Sequence, residues 1–112
     1  MAKREVIYVD DIADACIYFM NKKIKENMVN VGTGKDFTIK KYAELMLKLI
    51  ISERKIKIVY DRSKPNGTPR KVLDISLAKK YGWNAKSNFK ISILTTYNSF
   101  RKKKFQLKWK KI

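Results

Sequence analysis

The sequence runs to 112 residues, 45% hydrophobic and 12% aromatic, which suits one modest core and excludes a disordered tail. A formal charge of +17 favours polyanions as partners (nucleic acid, anionic membrane, phosphorylated ligands), yet the excess is mostly lysine, so a merely solvated basic surface is the plainer reading. There is no histidine to shuttle protons, and the single cysteine, Cys16, cannot form an intramolecular disulfide, which fits a reducing compartment.

EVIYV, Glu5 to Val9, is β-branched and aromatic and predicts a first strand. Asp10 and Asp11 then precede a run with helical spacing (Ile12, Ala13, Cys16, Ile17, Phe19, Met20), where an Asp serves as N-cap and opposes the helix dipole. Two adjacent carboxylates supply too few oxygens for a hard metal, so no metal site is expected there. MVNVG predicts a second short strand ending on glycine. After the GTGKDF turn, Thr38 is a candidate N-cap for a helix whose apolar face is Ile39, Tyr42, Ala43, Leu45, Met46, Leu49 and Ile50. KIKIVY alternates and predicts a third strand. SKPNGTPRKVLD follows, a loop shaped by Pro65, Gly67 and Pro69. SLAKKYG predicts a helix stopped at Gly82, and Phe89, Ile93, Tyr97 and Phe100 form the stripe of a last one. The order β-α-β-α-β-loop-α-α gives an α/β domain of short strands and helices.

No apolar stretch follows the first residues to form a signal peptide, and LMLKLII, broken by Lys48, is too short to span a bilayer. A cytoplasmic location without membrane contact is therefore expected.

Three patterns suggest chemistry. Tyr18 and Lys22 have the Tyr-x-x-x-Lys spacing that sets phenol beside ammonium on a helix, but no Gly-rich cofactor turn precedes them and the spacing is common by chance. Gly32-Thr33-Gly34 sits between a strand and a helix, where a phosphate turn would be. It lacks the third glycine, so a tight turn with one glycine at a special backbone angle is preferred. In the tail, Phe105 and Trp109 interleave with cations, as in single-strand binders, but equally suit a helix end with solvated lysines. Nucleic acid is not the expected partner, since no recognised nucleic-acid motif accompanies the tail. Cys16 falls in the apolar pattern of the first helix and is expected in the core.

Three segments, REVIYVDDIADA, NVGTGKDFTIKKYAEL and KIVYDRSKPNGTPRKVLDISLAKKYGW, resemble in order and spacing the C-terminal part of the GDP-L-fucose synthase family, extended short-chain dehydrogenase/reductases. SKPNGTPRKVLD is the most specific of their motifs. The resemblance runs from Arg4 to about Phe100, implying a sugar-nucleotide-binding domain over 1–100 and a basic extension over 101–112. It implies the substrate-binding part of an extended fold without its Rossmann domain, and hence no NADPH bound by this chain. It also implies no catalytic residue here, because the family's glycine-rich turn, Ser, Tyr-x-x-x-Lys, Cys and His lie upstream of the matched region. Tyr18, Lys22 and Cys16 fall at none of these positions.

What the resemblance carries over is binding of the GDP-sugar. Arg4 and Lys71 match cations on the diphosphate, Asn66 stands where the family usually has Asp, and Lys57 matches a basic position opening the third strand. Ala85 departs from the family's usual proline. The implied activity of the complete enzyme is NADPH-dependent epimerisation and reduction of GDP-4-keto-6-deoxy-mannose. Alone the chain is expected to bind GDP-sugar weakly and to be catalytically incomplete, with a separate Rossmann-domain polypeptide as a candidate partner. The alternatives are a basic nucleic-acid-binding module or a non-functional gene fragment.

Overall fold

A computed structural model describes residues 1–51 and 55–103. In chain order they form β1 (Lys3–Glu5), α1 (Val9–Met20), β2 (Asp36–Thr38), α2 (Ile39–Ile50), β3 (Arg70–Lys71), α3 (Ser76–Lys80) and α4 (Phe89–Lys103). The expected small mixed α/β architecture is present. The basic tail with Phe105 and Trp109 lies outside the described residues.

The strands stand elsewhere than their patterns suggested. EVIYV contributes only Glu5 to β1, and the strand extends backward to Lys3. MVNVG forms no strand; the second is DFT, three residues that pair antiparallel with β1 in the register Lys3–Thr38, Arg4–Phe37, Glu5–Asp36. KIKIVY forms no strand, and the third strand follows the proline-glycine turn instead of preceding it. β3 runs parallel to β1 with Lys3 opposite Arg70 and Arg4 opposite Lys71, giving the sheet order β2-β1-β3. Strand propensity marks a segment that fits a pleated surface, and pairing also needs a neighbour.

The helices follow their local signals. Thr38 is extended (φ −66°, ψ 151°) and its Oγ1 accepts from the Lys41 amide at 3.1 Å, the N-cap arrangement that satisfies a free donor of the first turn. α3 ends on Gly82 at φ +91°, and the Trp83 amide donates back to the Ala78 carbonyl at 2.9 Å. α1 begins at Val9 with Tyr8 as its cap residue, so neither aspartate caps it; Asp10 and Asp11 lie in the first turn, facing the dipole.

Two small apolar clusters hold these elements. Ala15, Ala78 and Trp83 are buried together, with Ile7, Tyr18, Phe19, Val29, Val31 and Ala85 packed around them. Tyr42 of α2 meets Phe37 edge-on at 5.8 Å and Phe89 of α4 at 5.6 Å. No large side chain among the described residues is completely buried. Much apolar surface stays uncovered instead, including one face of α1 where Val9, Ile17 and Met20 are 68%, 63% and 83% exposed. Cys16 shares that open face, correcting its expected place in the core. No helix among the described residues is long and apolar enough to cross a membrane.

Candidate functional site

The sheet brings two of the expected cations together. Arg4 and Lys71 are register partners on adjacent parallel strands, and alternation gives paired residues a common face. The Arg4 guanidinium lies against the proline-glycine loop, with Nη1 donating to the carbonyls of Lys3 and Thr68, each at 2.7 Å. Its Nε and Nη2 have no acceptor among the described residues, which leaves a forked donor edge free. Gly67 shapes this turn through its backbone angle, φ +68°, which side-chain-bearing residues rarely adopt; a Cβ there would make only an ordinary 3.5 Å contact with Nη2. Asn66, exposed, precedes that glycine on the same loop. Asp61 opens the loop by accepting from the Ser63 amide at 3.0 Å and hydroxyl at 2.6 Å, bonds that hold its carboxyl below the usual range.

Lys57 is not brought into this group. It is exposed on the unpaired stretch 55–60, and no hydrogen bond or ion pair ties that side chain to the loop among the described residues.

Two acidic side chains that carry no motif of their own organise the opposite face. Asp36 on β2 takes a forked contact from Arg70 on β3, Nε to Oδ2 at 2.5 Å and Nη2 to Oδ1 at 3.1 Å, reaching across β1. The Arg70 hydrogen bond holds the Asp36 carboxyl below the ordinary aspartate range. Arg70 and Lys71 are both exposed, but the first is paired with Asp36 while the second has no carboxylate partner among the described residues. The other acidic residue is Glu5. Its Oε1 accepts from the amides of Thr33 and Gly34, the latter at 3.1 Å, and its Oε2 from the Leu73 amide at 2.8 Å.

Glu5 also decides the fate of the Gly32-Thr33-Gly34 turn. Gly34 has the expected positive φ, +70°, but the amides that would cradle a cofactor pyrophosphate already hold a carboxylate. A Cβ at Gly32 would collide with that same carboxylate. The residues present thus do not fit a dinucleotide at this turn.

The Tyr18 and Lys22 pair is likewise structural. The Tyr18 hydroxyl donates to the Tyr81 carbonyl, and the Lys22 ammonium lies 5.8 Å from the Tyr18 ring centre. Asp11, 8% exposed, accepts from the Ser87 hydroxyl at 2.8 Å and so ties α1 to the segment before α4. Beside Lys71 a cleft of about 460 Å³ is walled by Glu5, Ile7, Val31, Val72 and Leu73. A wider apolar cavity of about 520 Å³ opens between the β1–α1 connection, the end of α2 and α4.

Comparison with known proteins gives a consistent relationship. No family model matches the chain. GDP-L-fucose synthase 1 of Arabidopsis thaliana is 36% identical over 99 residues, covering 88% of this chain and 30% of that one. A second Arabidopsis thaliana sequence bearing the same enzyme's name is 43% identical over 94 residues, covering 84% and 28%. Among solved structures, a GDP-mannoheptose C4 reductase from Campylobacter jejuni with NADP bound superposes with a TM-score of 0.73 at 29% identity, covering 89% of this chain and 32% of that one. The chain spans 28–33% of the length of the curated relatives it matches.

Proposed function

Because the chain belongs to the GDP-L-fucose synthase family of extended short-chain dehydrogenase/reductases, we propose that it supplies the GDP-sugar-binding part of such an enzyme. The observation that carries this reading is the pairing of Arg4 with Lys71 under the loop at Gly67 and Thr68. A diphosphate needs both kinds of cation: a planar fork that takes two oxygens at once and a mobile point charge that follows the rest. Asn66 adds amide donors at the rim of the same loop. Lys57 has no geometric support and is left out of the proposed grip.

The reaction of the whole enzyme is proposed to be reduction and epimerisation of a GDP-4-keto-6-deoxy sugar with NADPH. These residues would hold the nucleotide, not perform that chemistry. The complementary cofactor-binding part would seat on the uncovered apolar surface, of which Val9, Ile17 and Met20 on α1 are the most exposed run. Binding by the chain alone should be weak, because an open edge buries little of a ligand.

Calorimetric titration with GDP, with guanosine as control, tests the reading. GDP is expected to bind and guanosine not, and Arg4→Ala or Lys71→Ala should each weaken GDP about tenfold or more, the usual worth of a charge-assisted hydrogen bond. Binding indifferent to both substitutions overturns it, as does stronger, steeply salt-dependent binding of an oligonucleotide. The purified chain mixed with NADPH and the keto-sugar should oxidise no NADPH; turnover would show that the chemistry is here after all.

A further inference from the structure

β3 is two residues long, too short for ladder hydrogen bonds alone to fix its place. Only one further backbone bond among the described residues reaches the loop end, from the Lys3 amide to the Pro69 carbonyl at 2.9 Å. Side chains supply the rest. On one side Arg70 crosses over the central strand to Asp36, whose side chain is 8% exposed; on the other, the Leu73 amide is fastened to Glu5 at 2.8 Å. Lys71 lies between these two anchors, opposite Arg4 and exposed.

We infer that the Asp36–Arg70 pair is a positioning device for the anion site, holding β3 in the register that sets Lys71 opposite Arg4. The two residues touch no ligand. They face away from the Arg4–Lys71 face and act through one-residue alternation along β3, since a slip of one position would turn Lys71 to the wrong face. The pair's forked geometry suits the task, because a guanidinium meeting both oxygens of one carboxylate fixes an orientation as well as a distance. The inference deepens the diphosphate reading and rests on it.

The test is a double-mutant cycle on the full chain with GDP as probe, alongside thermal unfolding. Asp36→Asn is expected to weaken GDP binding about three- to tenfold in the wild-type background, as loss of a partly exposed charged contact would. In the Lys71→Ala background it should have no further effect. In the Arg4→Ala background its effect should persist. Arg70→Lys, which keeps the charge but not the fork, should mimic Asp36→Asn, and the exchange Asp36→Arg with Arg70→Asp should recover part of the loss. If Asp36→Asn does not fold, the Arg70→Lys arm carries the same cycle. An equal effect with and without Lys71, or no effect at all, overturns the inference while leaving the diphosphate reading standing. Absence of GDP binding by the wild-type chain removes that reading itself.

Discussion

Around Trp83, α1 and α3 meet through buried apolar contact: Ala15 and Ala78 are each 1% exposed and Trp83 3%. The indole then donates to Asp14 at 2.9 Å, so even its polar atom is satisfied. Around Arg4 apolar packing is thinner, with Tyr42 set against Phe37 and donating to the Arg4 carbonyl at 2.8 Å. There three short strands and a loop are fastened by carboxylates, Glu5 on three backbone amides and Asp36 on Arg70. The difference matters for function: the packed corner gives rigidity cheaply, while a polar-fastened edge leaves cations at the surface with directions already set.

Substitutions should separate the two corners. Trp83→Ala is expected to cost the most, about 3–5 kcal/mol, through the cavity it leaves, read by urea unfolding. A smaller effect would mean the neighbouring side chains collapse into the space. Glu5→Ala should cost about 1–3 kcal/mol, since it deprives three amides of one acceptor. Its signature should be local: faster amide exchange at Thr33, Gly34 and Leu73 with Trp83 undisturbed. Uniform acceleration would show that the corners are not separable. Thr38→Ala should cost about 1 kcal/mol by uncapping α2.

Acid should open the strand edge first. Hydrogen bonds hold Asp36, Asp61 and Asp74 below the usual aspartate range, whereas near Trp83 Glu26 is the lowered carboxyl, through the Tyr81 hydroxyl. A depressed folded pKa contributes stability that is complete above the unfolded value, near ~4 for such carboxyls, and is lost as pH falls through the folded one. Protection of the amides at 61–74, relative to their intrinsic exchange at each pH, should thus hold steady from neutral pH to about 4 and fall below it. A loss of protection between pH 7 and 5 would point to some other titrating group. The least consequential change should be Lys40→Ala, because its ion pair with Glu44 is 3.8 Å long with side chains 51% and 50% exposed. Its cost should stay within about 0.5 kcal/mol in thermal unfolding.

Legibility followed distance along the chain. The Thr38 cap, the stop at Gly82 and the turn at Gly34 were readable because each depends on bonds spanning a few residues. Arg4 and Lys71, far apart in sequence and singled out only through the family resemblance, stand in register on adjacent strands. Cys16 was misplaced because helical periodicity identifies an apolar residue and not which of two apolar faces is covered. Asp10 and Asp11 stand two and three positions past the cap residue, because the helix begins on Val9, before the apolar spacing starts at Ile12.

The sequence by itself settled the existence of the helices, the Thr38 and Gly82 ends, the glycine turns and the family, which reside in local backbone preference or in short ordered motifs. Tertiary structure alone decided which β-prone segments pair, that Glu5 accepts from the amides of the glycine turn, and that Arg70 is paired with Asp36 while Lys71 has no such partner among the described residues. Those outcomes depend on partners 28, 34 and 68 residues away. Two neighbouring cations look alike in a one-dimensional string; strand alternation sends them to opposite faces, and Asp36 stands on the face that receives Arg70.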